Sequence, residues 1–359
     1  MHQCSHSPSQ SPPLVHRIMT FLSFTRFCRL ELSRFPHQIR SVNQAFILGA
    51  GLGTRLRPLT DRLPKPLIPL FHQPLVWWAM EACSRANLRR FAVNTHHLPD
   101  AWRAFSAAAV AGTPHFTGGN GLPADSRIWN EKIITFFHEP ILLETGGGLK
   151  NISSWIGEEP LLIHNGDIFS TMPLEKLIAA HEASSQLVTL ALRSVGKARH
   201  ISLDASMTRV TDIHGKLGRA AGTHVFSGIY CVSPLFLEML PAGEKISVIP
   251  AFLELAKHGG LGAIVLDDGA WLDLGDRESY LLAHQTLDLA PAIHPLATVE
   301  AGAIIENSII GPGAVIESGA VVKNSVVWPH CRVARTATLD HCIIYSEKTA
   351  AGVHLQADL

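Results

Sequence analysis

Aliphatic residues recur every six positions near the end of the chain, and this period constrains the fold more than any other feature. The longest series is Ile309, Val315, Val321, Val327, Val333 and Leu339. A second series is Ile304, Ile310, Ile316 and Val322, and an earlier one, offset in phase, is Ile293, Val299 and Ile305. A six-residue period fits neither a helix nor an alternating strand. It fits a β-helix in which each short strand points one aliphatic side chain inward. We therefore predict a left-handed β-helix of hexapeptide repeats over residues 290–359, with an irregular β-rich tail as the alternative.

The preceding region, residues 44–289, alternates short apolar runs with segments of helical periodicity. The apolar runs lie at 45–48, 90–94, 133–137, 160–165 and 187–192, and the helical segments at 75–86 and 174–183. Strands alternating with helices predict an α/β domain with a Rossmann-like, mostly parallel sheet covered on both faces. In such sheets, ligands bind beyond the carboxyl ends of the strands.

Composition narrows the class of function. The 359 residues are 47% hydrophobic and carry a formal net charge of zero, which is typical of a globular protein and argues against a nucleic-acid partner. No apolar run reaches about 18 residues, so we expect no membrane span. The six scattered cysteines form no CxxC pair, and we expect them to be reduced thiols of a cytoplasmic protein.

A glycine-rich turn follows the first predicted strand and forms what we call the phosphate loop, residues 49–55. Gly49, Ala50, Gly51, Gly53 and Thr54 are its candidate nucleotide-binding residues. Glycines let a backbone approach a ligand closely, and exposed N–H groups in such turns can hold phosphate oxygens. The turn alone is weak evidence, because it matches neither GxGxxG nor the P-loop pattern.

Three cations follow closely and make the loop more specific. Arg55, Arg57 and Lys65 stand among prolines at 58, 64 and 66, which stiffen the segment. Fixed cations beside a phosphate-binding turn suit a triphosphate, because Arg grips two oxygens and Lys supplies a point charge. A solvated basic loop is the alternative, and it does not explain the prolines or the glycines.

The segment Gly51–Pro69 resembles a known family. It fits the pattern GxGTRLxPLTxxxPKPLxP of the sugar-nucleotide pyrophosphorylases, and the resemblance extends from Gln44 to about Thr286. Residues 144–148 look most like uridylyltransferases acting on N-acetylmuramic acid 1-phosphate, with mannose-1-phosphate guanylyltransferases next. The former lack a β-helical tail, whereas the latter often carry one. The resemblance implies that a nucleoside triphosphate, UTP or GTP, reacts with a sugar 1-phosphate to give an NDP-sugar and pyrophosphate.

Two carboxylates are candidate metal ligands. Asp167 follows a predicted buried strand in the run His164–Asp167, and Asp273 lies in the run Trp271–Gly275. Either alone is commonly a turn residue, but a pair can hold Mg²⁺ together with phosphate oxygens. In the family, the aspartates of NGD and WxDxG are the metal ligands. The family usually has Thr where this chain has Asp276, which adds negative charge or simply caps the next helix.

The resemblance also assigns roles around the reacting phosphates. Arg55 would hold the leaving β- and γ-phosphates, and Lys65 would lie nearer the α-phosphate and the attacking phosphate. The sugar phosphate is largely dianionic at pH 7, so no general base is required.

Base and sugar recognition are also assigned by resemblance. Glu139 matches a position near the base, and Gly146 and Gly147 would let the backbone approach the nucleoside. Asn165, Gly228 and Lys245 are assigned to the sugar phosphate, with an ordinary surface lysine as the alternative for Lys245.

Two other functions compete with the enzymatic one. Some family members keep the fold, lose activity and sense sugar nucleotides, but they usually lose the loop cations or the metal aspartates. Six-residue β-helices often carry acyltransferase chemistry, for which His330 or His341 could serve as a base. The tail holds only about 70 residues and lacks a long inserted loop. We therefore expect it to have a structural role or to mediate homo-oligomerisation.

The first residues differ from the rest of the chain. Residues 1–43 are rich in Ser, Pro, His and Arg, with Glu31 as their only acid. We expect a disordered extension, or an artefact of an upstream start codon with Met19 as another start. A targeting peptide is the alternative.

Overall fold

The computed structural model describes residues 41–107, 116–117 and 125–359. Most of the predicted extension, residues 1–40, lies outside this range. Ser41 Oγ and the backbone N–H of Val42 donate to Glu182 Oε1, and the Val42 side chain is buried. The described chain therefore packs onto the first domain from its first residues, and all of it forms one compact unit.

All five predicted apolar runs form strands, to within about one residue at each end, among the fifteen described strands of the first domain. They are β1 Gln44–Leu48, β2 Pro69–Leu70, β3 Gln73–Pro74, β4 Arg90–Thr95, β5 Phe116–Thr117, β6 Ser126–Trp129, β7 Lys132–His138, β8 Leu161–Asn165, β9 Ile168–Ser170, β10 Val188–Arg193, β11 Ile201–Leu203, β12 Val210–Ile213, β13 Val225–Val232, β14 Leu261–Val265 and β15 Trp271–Asp273.

The α-helices of the described chain lie between these strands. They are α1 Leu75–Arg85, α2 Pro99–Ala107, α3 Glu144–Asn151, α4 Ser153–Ile156, α5 Leu174–Glu182, α6 Ile249–Lys257 and α7 Arg277–Thr286. Short 3₁₀ helices occupy Thr54–Leu56, Leu59–Asp61, Lys65–Leu67 and Pro234–Met239. No helix in the described ranges has the length and apolar character needed to cross a bilayer.

A nine-stranded sheet in the order β14-β10-β13-β8-β1-β4-β7-β6-β5 forms the centre of the domain. β1 runs parallel to β4 and β8, β4 to β7, and β10 to β14. β13 is inserted antiparallel between β8 and β10. The prediction of a mostly parallel sheet is confirmed, and two reversed strands are additions to it: β13, and β6, which runs antiparallel to β5 and β7.

Side chains alternate between the two faces of the sheet. On β1, Ala45 and Ile47 join a core that includes residues of α1 and α5, whereas Phe46 joins a core that includes residues of α3 and α6. Helices therefore cover both faces, as predicted for strands that are buried on both sides.

The tail folds into a β-helix, which confirms the prediction from the period. Its strands are β16 Thr298–Val299, β17 Ile304–Glu306, β18 Ile309–Ile310, β19 Val315–Ile316, β20 Val321–Lys323, β21 Val326–Val327, β22 Arg332–Val333, β23 Thr338–Asp340, β24 Ile343–Ile344 and β25 Val353–Leu355. They form three parallel sheets in the orders β16-β19-β22, β17-β20-β23-β25 and β18-β21-β24.

The register of the coils corrects one detail of the prediction. Ile304 pairs with Val321 and Val321 with Thr338, so these coils are 17 residues apart and have one side of five residues instead of six. The last pairing, of Thr338 with Val353, spans only 15 residues. Val322 and Val327 are both buried, whereas Val321 is only partly so. Each short strand has an aliphatic residue that points inward and a neighbour that points outward. The long series predicted from the period therefore includes the outward residue at Val321 and the inward residue from Val327 onward.

The tail shares a hydrophobic core with the first domain. Tail residues such as Trp328 pack in the same cluster as Leu56, Leu59 and Ile68, which belong to the segment resembling the family signature. Polar contacts reinforce this packing. The Tyr280 hydroxyl donates to the carbonyl of Pro69 (2.6 Å) and accepts from Trp328 Nε1 (3.0 Å). The signature segment is therefore supported from behind by the β-helix.

Candidate active site

The phosphate loop lies at the carboxyl end of β1 and requires glycine at specific points. Gly53 has φ 63°, and a methyl group there would lie 2.8 Å from Thr60 Cγ2 and 2.9 Å from Lys65 Cβ. Gly51 is exposed, and a methyl group on it would meet no described atom within 4 Å. Gly53 thus allows the close turn, and Gly51 leaves the backbone open to a ligand.

The loop forms one side of a cleft of about 440 Å³ at the carboxyl ends of β1, β4 and β8. The cleft is lined by Leu48, Ala50, Gly51, Gly53, Thr54, Arg55, Lys65, Pro66, Asn94, Leu142, Glu144, Thr145, Asn165, Asp167, Ser247 and Gly275. This is the ligand-binding edge expected for such a sheet.

Lys65 and Asp167 meet in this cleft although they are far apart in the chain. Lys65 Nζ lies 2.5 Å from Asp167 Oδ2, and the lysine side chain is only 7% exposed. Gly166 brings the aspartate close to the phosphate loop, because its N–H donates to the carbonyl of Leu48. The cation of the signature segment and the aspartate of the NGD run thus belong to one site.

Asp273 reaches the same site from a different strand pair. β15 runs antiparallel to β9, and Asp273 pairs with Ile168, the residue after Asp167. Partial desolvation and the charge of Asp167 raise the pKa of the Asp273 carboxyl. Two carboxylates that repel each other in this way are a suitable donor set for a hard divalent cation. Within the described ranges no three His, Cys, Asp or Glu side chains cluster as a metal site, so the remaining ligands would be oxygens of water or substrate.

Arg55 also lines the cleft and is exposed. Its guanidinium packs against Gly275, where a methyl group would lie 2.7 Å from Arg55 Nη2. Asp276 next to it caps α7, since its carboxylate accepts from the N–H of Ser279 at 2.8 Å. Hydrogen bonds from Ser279 lower the pKa of Asp276. The helix-cap interpretation of Asp276 is therefore confirmed.

Two of the predicted sugar-phosphate residues are adjacent. Gly228 has φ 76°, and a methyl group there would lie 2.7 Å from Asn165 Nδ2. Asn165 lines the cleft, so Gly228 acts by leaving room for that amide. Lys245 lies at the rim, half-exposed, with Nζ 3.6 Å from Glu144 Oε1.

Gly146 and Gly147 do not line the cleft. Their N–H groups donate to the carbonyl of Ile246 at 2.8 and 3.0 Å, and methyl groups on them would collide with the carbonyls of Ile246 and Glu244. These contacts join α3 to residues 244–247. Their assignment to the nucleoside stays a prediction.

Glu139 has no exposed surface, and both of its carboxylate oxygens have protein partners. Gly49 lies behind the loop surface, with its N–H donating to Asn94 Oδ1 at 2.7 Å. Sequence reasoning missed Asn94 as a cleft residue. Its position at the carboxyl end of a predicted strand was the available signal.

Two family models match this chain. A nucleotidyl transferase model covers residues 44–288, and a model of the GlmU-like C-terminal hexapeptide covers residues 293–357. The chain belongs to the nucleotidyl transferase family. The second match agrees with the β-helix seen in the structure.

Curated relatives of this chain include enzymes named for different nucleotides and sugars. A mannose-1-phosphate guanylyltransferase of Mycobacterium tuberculosis is 26% identical over 297 residues, 77% of this chain and 76% of the relative. An N-acetylmuramate alpha-1-phosphate uridylyltransferase of Caulobacter vibrioides is 26% identical over 249 residues, 68% of this chain and 96% of the relative.

Solved structures with the same fold as this nucleotidyl transferase include HddC from Yersinia pseudotuberculosis. It has a TM-score of 0.52 and 23% identity, and the match covers 67% of this chain and 98% of that one. A UDP-glucose pyrophosphorylase from Acinetobacter baumanii has a TM-score of 0.54 and 15% identity, covering 67% and 92%.

Proposed function

We propose that this chain transfers a nucleoside monophosphate from UTP or GTP to a sugar 1-phosphate, forming an NDP-sugar and releasing pyrophosphate. The contact between Lys65 and Asp167 carries the proposal, because it joins the signature cation to a candidate metal ligand beside the phosphate loop. Arg55, which also lines the cleft, adds a second positive charge for a triphosphate.

Bringing two polyanions together is the main difficulty of this reaction. Lys65 would neutralise the α-phosphate and the attacking phosphate, and Arg55 would hold the leaving pyrophosphate. The attacking phosphate is already ionised near pH 7, so no side chain has to remove a proton. Asn165 would orient the sugar phosphate in the space that Gly228 leaves open.

Asp167 and Asp273 are the residues that would hold Mg²⁺, because two adjacent carboxylates plus substrate oxygens match its ligand preference. Bound there, the ion would neutralise negative charge on the phosphoryl oxygens. Activity should accordingly depend on added Mg²⁺ and be abolished by a chelator.

Replacing the charged pair tests the proposal. Lys65→Ala or Asp167→Asn should lower kcat by about 10²–10³, the usual effect of removing one electrostatic contact to a transition state. Lys176→Ala is a matched control, because it removes an exposed ion pair with Asp268 elsewhere on the surface. Pyrophosphate release by folded variants measures the effect. Turnover near wild type in either site variant would contradict the assignment.

The nucleotide and the sugar need a product screen. Relatives aligned over 291–297 residues include guanylyltransferases for mannose 1-phosphate, and these matches extend beyond the first domain. GTP with mannose 1-phosphate is therefore the first pair to test, and UTP with N-acetylmuramate 1-phosphate the second. Crossing five nucleoside triphosphates with several sugar 1-phosphates would identify the product. A wild-type protein that binds sugar nucleotides but releases no pyrophosphate would support the sensing alternative.

We further propose a cytoplasmic protein that forms homo-oligomers through the tail. Support for the assembly comes from the first coil, where Ile293, Leu296, Val299 and Ile304 are between 36% and 55% exposed. The four cysteines of the described ranges are buried thiols, as expected for a reducing compartment.

A further inference from the structure

A buried carboxylate behind the cleft connects two of its walls. Glu139 follows β7 and has no exposed surface. Its Oε1 accepts from Asn94 Nδ2 at 2.7 Å, and its Oε2 accepts from the backbone N–H of Leu143 at 3.0 Å. A carboxylate suits this position in shape, because it presents one oxygen to each of the two donors.

The first of these bonds leads to the phosphate loop. Asn94 is 2% exposed and lines the cleft, and its Oδ1 accepts from the N–H of Gly49 at 2.7 Å. The amide orientation of Asn94 is fixed, since its NH₂ must face Glu139 for its oxygen to face Gly49. Through Asn94, Glu139 therefore fixes the position of Gly49, the first residue of the phosphate loop.

The second bond leads to another part of the cleft lining. Leu143 lies within the segment 142–145, of which Leu142, Glu144 and Thr145 line the cleft. We call these four residues the rim segment. One carboxylate thus joins the phosphate loop to the rim segment through two hydrogen bonds.

Gly148 of α3 makes room for this arrangement. A methyl group on it would lie 2.8 Å from Glu139 Oε1 and 2.9 Å from Asn94 Nδ2. Any larger residue would push the two hydrogen-bonded side chains apart or move the helix. Glycine is therefore required at this point of the helix, where it otherwise lowers helix stability.

We propose that Glu139 is a positioning residue, which sets the phosphate loop against the rim segment and thereby fixes the site for the pyrophosphate part of the nucleotide. It acts through Asn94 and Gly49 and does not touch the substrate. The inference rests on the proposed function, because it assigns the residue a role in that reaction. A residue that read the base would behave differently, since pyrophosphate carries no base.

Glu139→Gln tests the geometry with almost no change in shape. The glutamine has one acceptor oxygen, so one of the two donors then faces an NH₂ group. If Asn94 turns its amide to compensate, its own NH₂ faces the N–H of Gly49. Every arrangement leaves one buried donor without an acceptor, either at the loop or at the rim segment.

The measurement is pyrophosphorolysis of the NDP-sugar that the wild-type protein makes. Glu139→Gln should raise the KM for pyrophosphate about tenfold, since an unsatisfied buried donor displaces the loop that binds it. Gly148→Ala, which keeps every hydrogen-bonding group, should raise the same KM. Glu182→Gln is the matched control, because Glu182 also accepts from a backbone N–H but does so at the amino end of β1. It should leave the KM unchanged even if the melting temperature falls.

The possible outcomes distinguish failure of the inference about Glu139 from failure of the proposed function. If wild-type protein catalyses neither direction with any pair in the screen, the proposed function fails. If wild type is active but folded Glu139→Gln and Gly148→Ala keep the wild-type KM for pyrophosphate, the inference is overturned. A change in preference among nucleotides at constant KM for pyrophosphate would also overturn it, in favour of direct contact with the base. An equal rise in the KM for pyrophosphate in Glu182→Gln would show that the protein is loosened in general. That result would also overturn the inference.

Discussion

Two buried tyrosines provide a test of how the β-helix is attached to the first domain. Tyr280 of α7 has no exposed surface, and its hydroxyl joins Pro69 of the signature segment to Trp328 of the tail. Tyr230 of β13 is 1% exposed, and its hydroxyl has no hydrogen-bond partner among the described residues. The substitutions Tyr280→Phe and Tyr230→Phe remove the same atom from different surroundings.

The expected effects have opposite signs. Tyr280→Phe removes the acceptor of the buried Trp328 N–H and the donor to the Pro69 carbonyl, at about 1–3 kcal/mol for each group left unsatisfied. Part of this loss of stability is offset, because phenylalanine has no hydroxyl that must be removed from water on folding. We therefore expect a net destabilisation of about 2–4 kcal/mol. Tyr230→Phe removes an unpaired polar atom from an apolar core and should be neutral or stabilise by about 1 kcal/mol.

Urea unfolding followed by tryptophan fluorescence and by circular dichroism measures both free energies of unfolding. Tyr280→Phe should lower the urea midpoint, and Tyr230→Phe should leave it unchanged or raise it. Equal destabilisation by the two variants would refute the reasoning, because it would show that loss of the hydroxyl matters irrespective of its hydrogen bonds.

Three further predictions concern the loop, the coil register and pH. Gly53→Ala forces an alanine into the left-handed backbone conformation and places a methyl group 2.8 Å from its nearest neighbour. The KM for the nucleotide should therefore rise and the melting temperature fall. Unchanged values of both would contradict the expected backbone strain. Val322→Ala should cost about 2 kcal/mol and Val321→Ala clearly less, and equal costs in urea unfolding would contradict the 17-residue coil. Burial lowers the pKa of His181 and of His284 to about 4. The unfolded chain, with histidine pKa about 6.5, therefore takes up protons first on acidification, and stability should fall between about pH 6.5 and 4 by up to about 1.4 kcal/mol per pH unit for each histidine. A constant urea midpoint from pH 7 to 5 would contradict this.

Much of the fold follows from local pattern. Apolar runs such as 90–94 and 160–165 became β4 and β8 because strands buried on both faces have continuous apolar sequences. Strand β13 was not predicted, since Ser227 and Gly228 interrupt its apolar run and no local signal shows that it reverses direction. The coil register was only partly predicted, because a five-residue side changes which member of an aliphatic pair points inward without breaking either series.

The candidate site was likewise predictable only in part. Lys65 and Asp167 could be predicted because each lies in a distinctive local run, and the sheet brings strand ends together. The position of Glu139 could not, because whether a carboxylate after a strand faces a cleft or the interior depends on distant partners. Here Asn94 and Gly148 supply the donor and the space that keep it inside.

The relation between the tail and the signature segment was also absent from the sequence, and it changes how the tail can be studied. Arg277 Nε donates to Asp358 at 2.8 Å, and Arg62 donates to the carbonyl of Tyr345 at 2.9 Å. Ile68 and Leu70 are fully buried in the core that the β-helix completes. A chain cut near residue 290 would expose these two side chains, and its sedimentation would then report a damaged core as well as a lost interface. Substitutions on the exposed first coil leave that core whole, so they alone can separate an assembly role of the tail from its support of the signature segment, which carries Lys65.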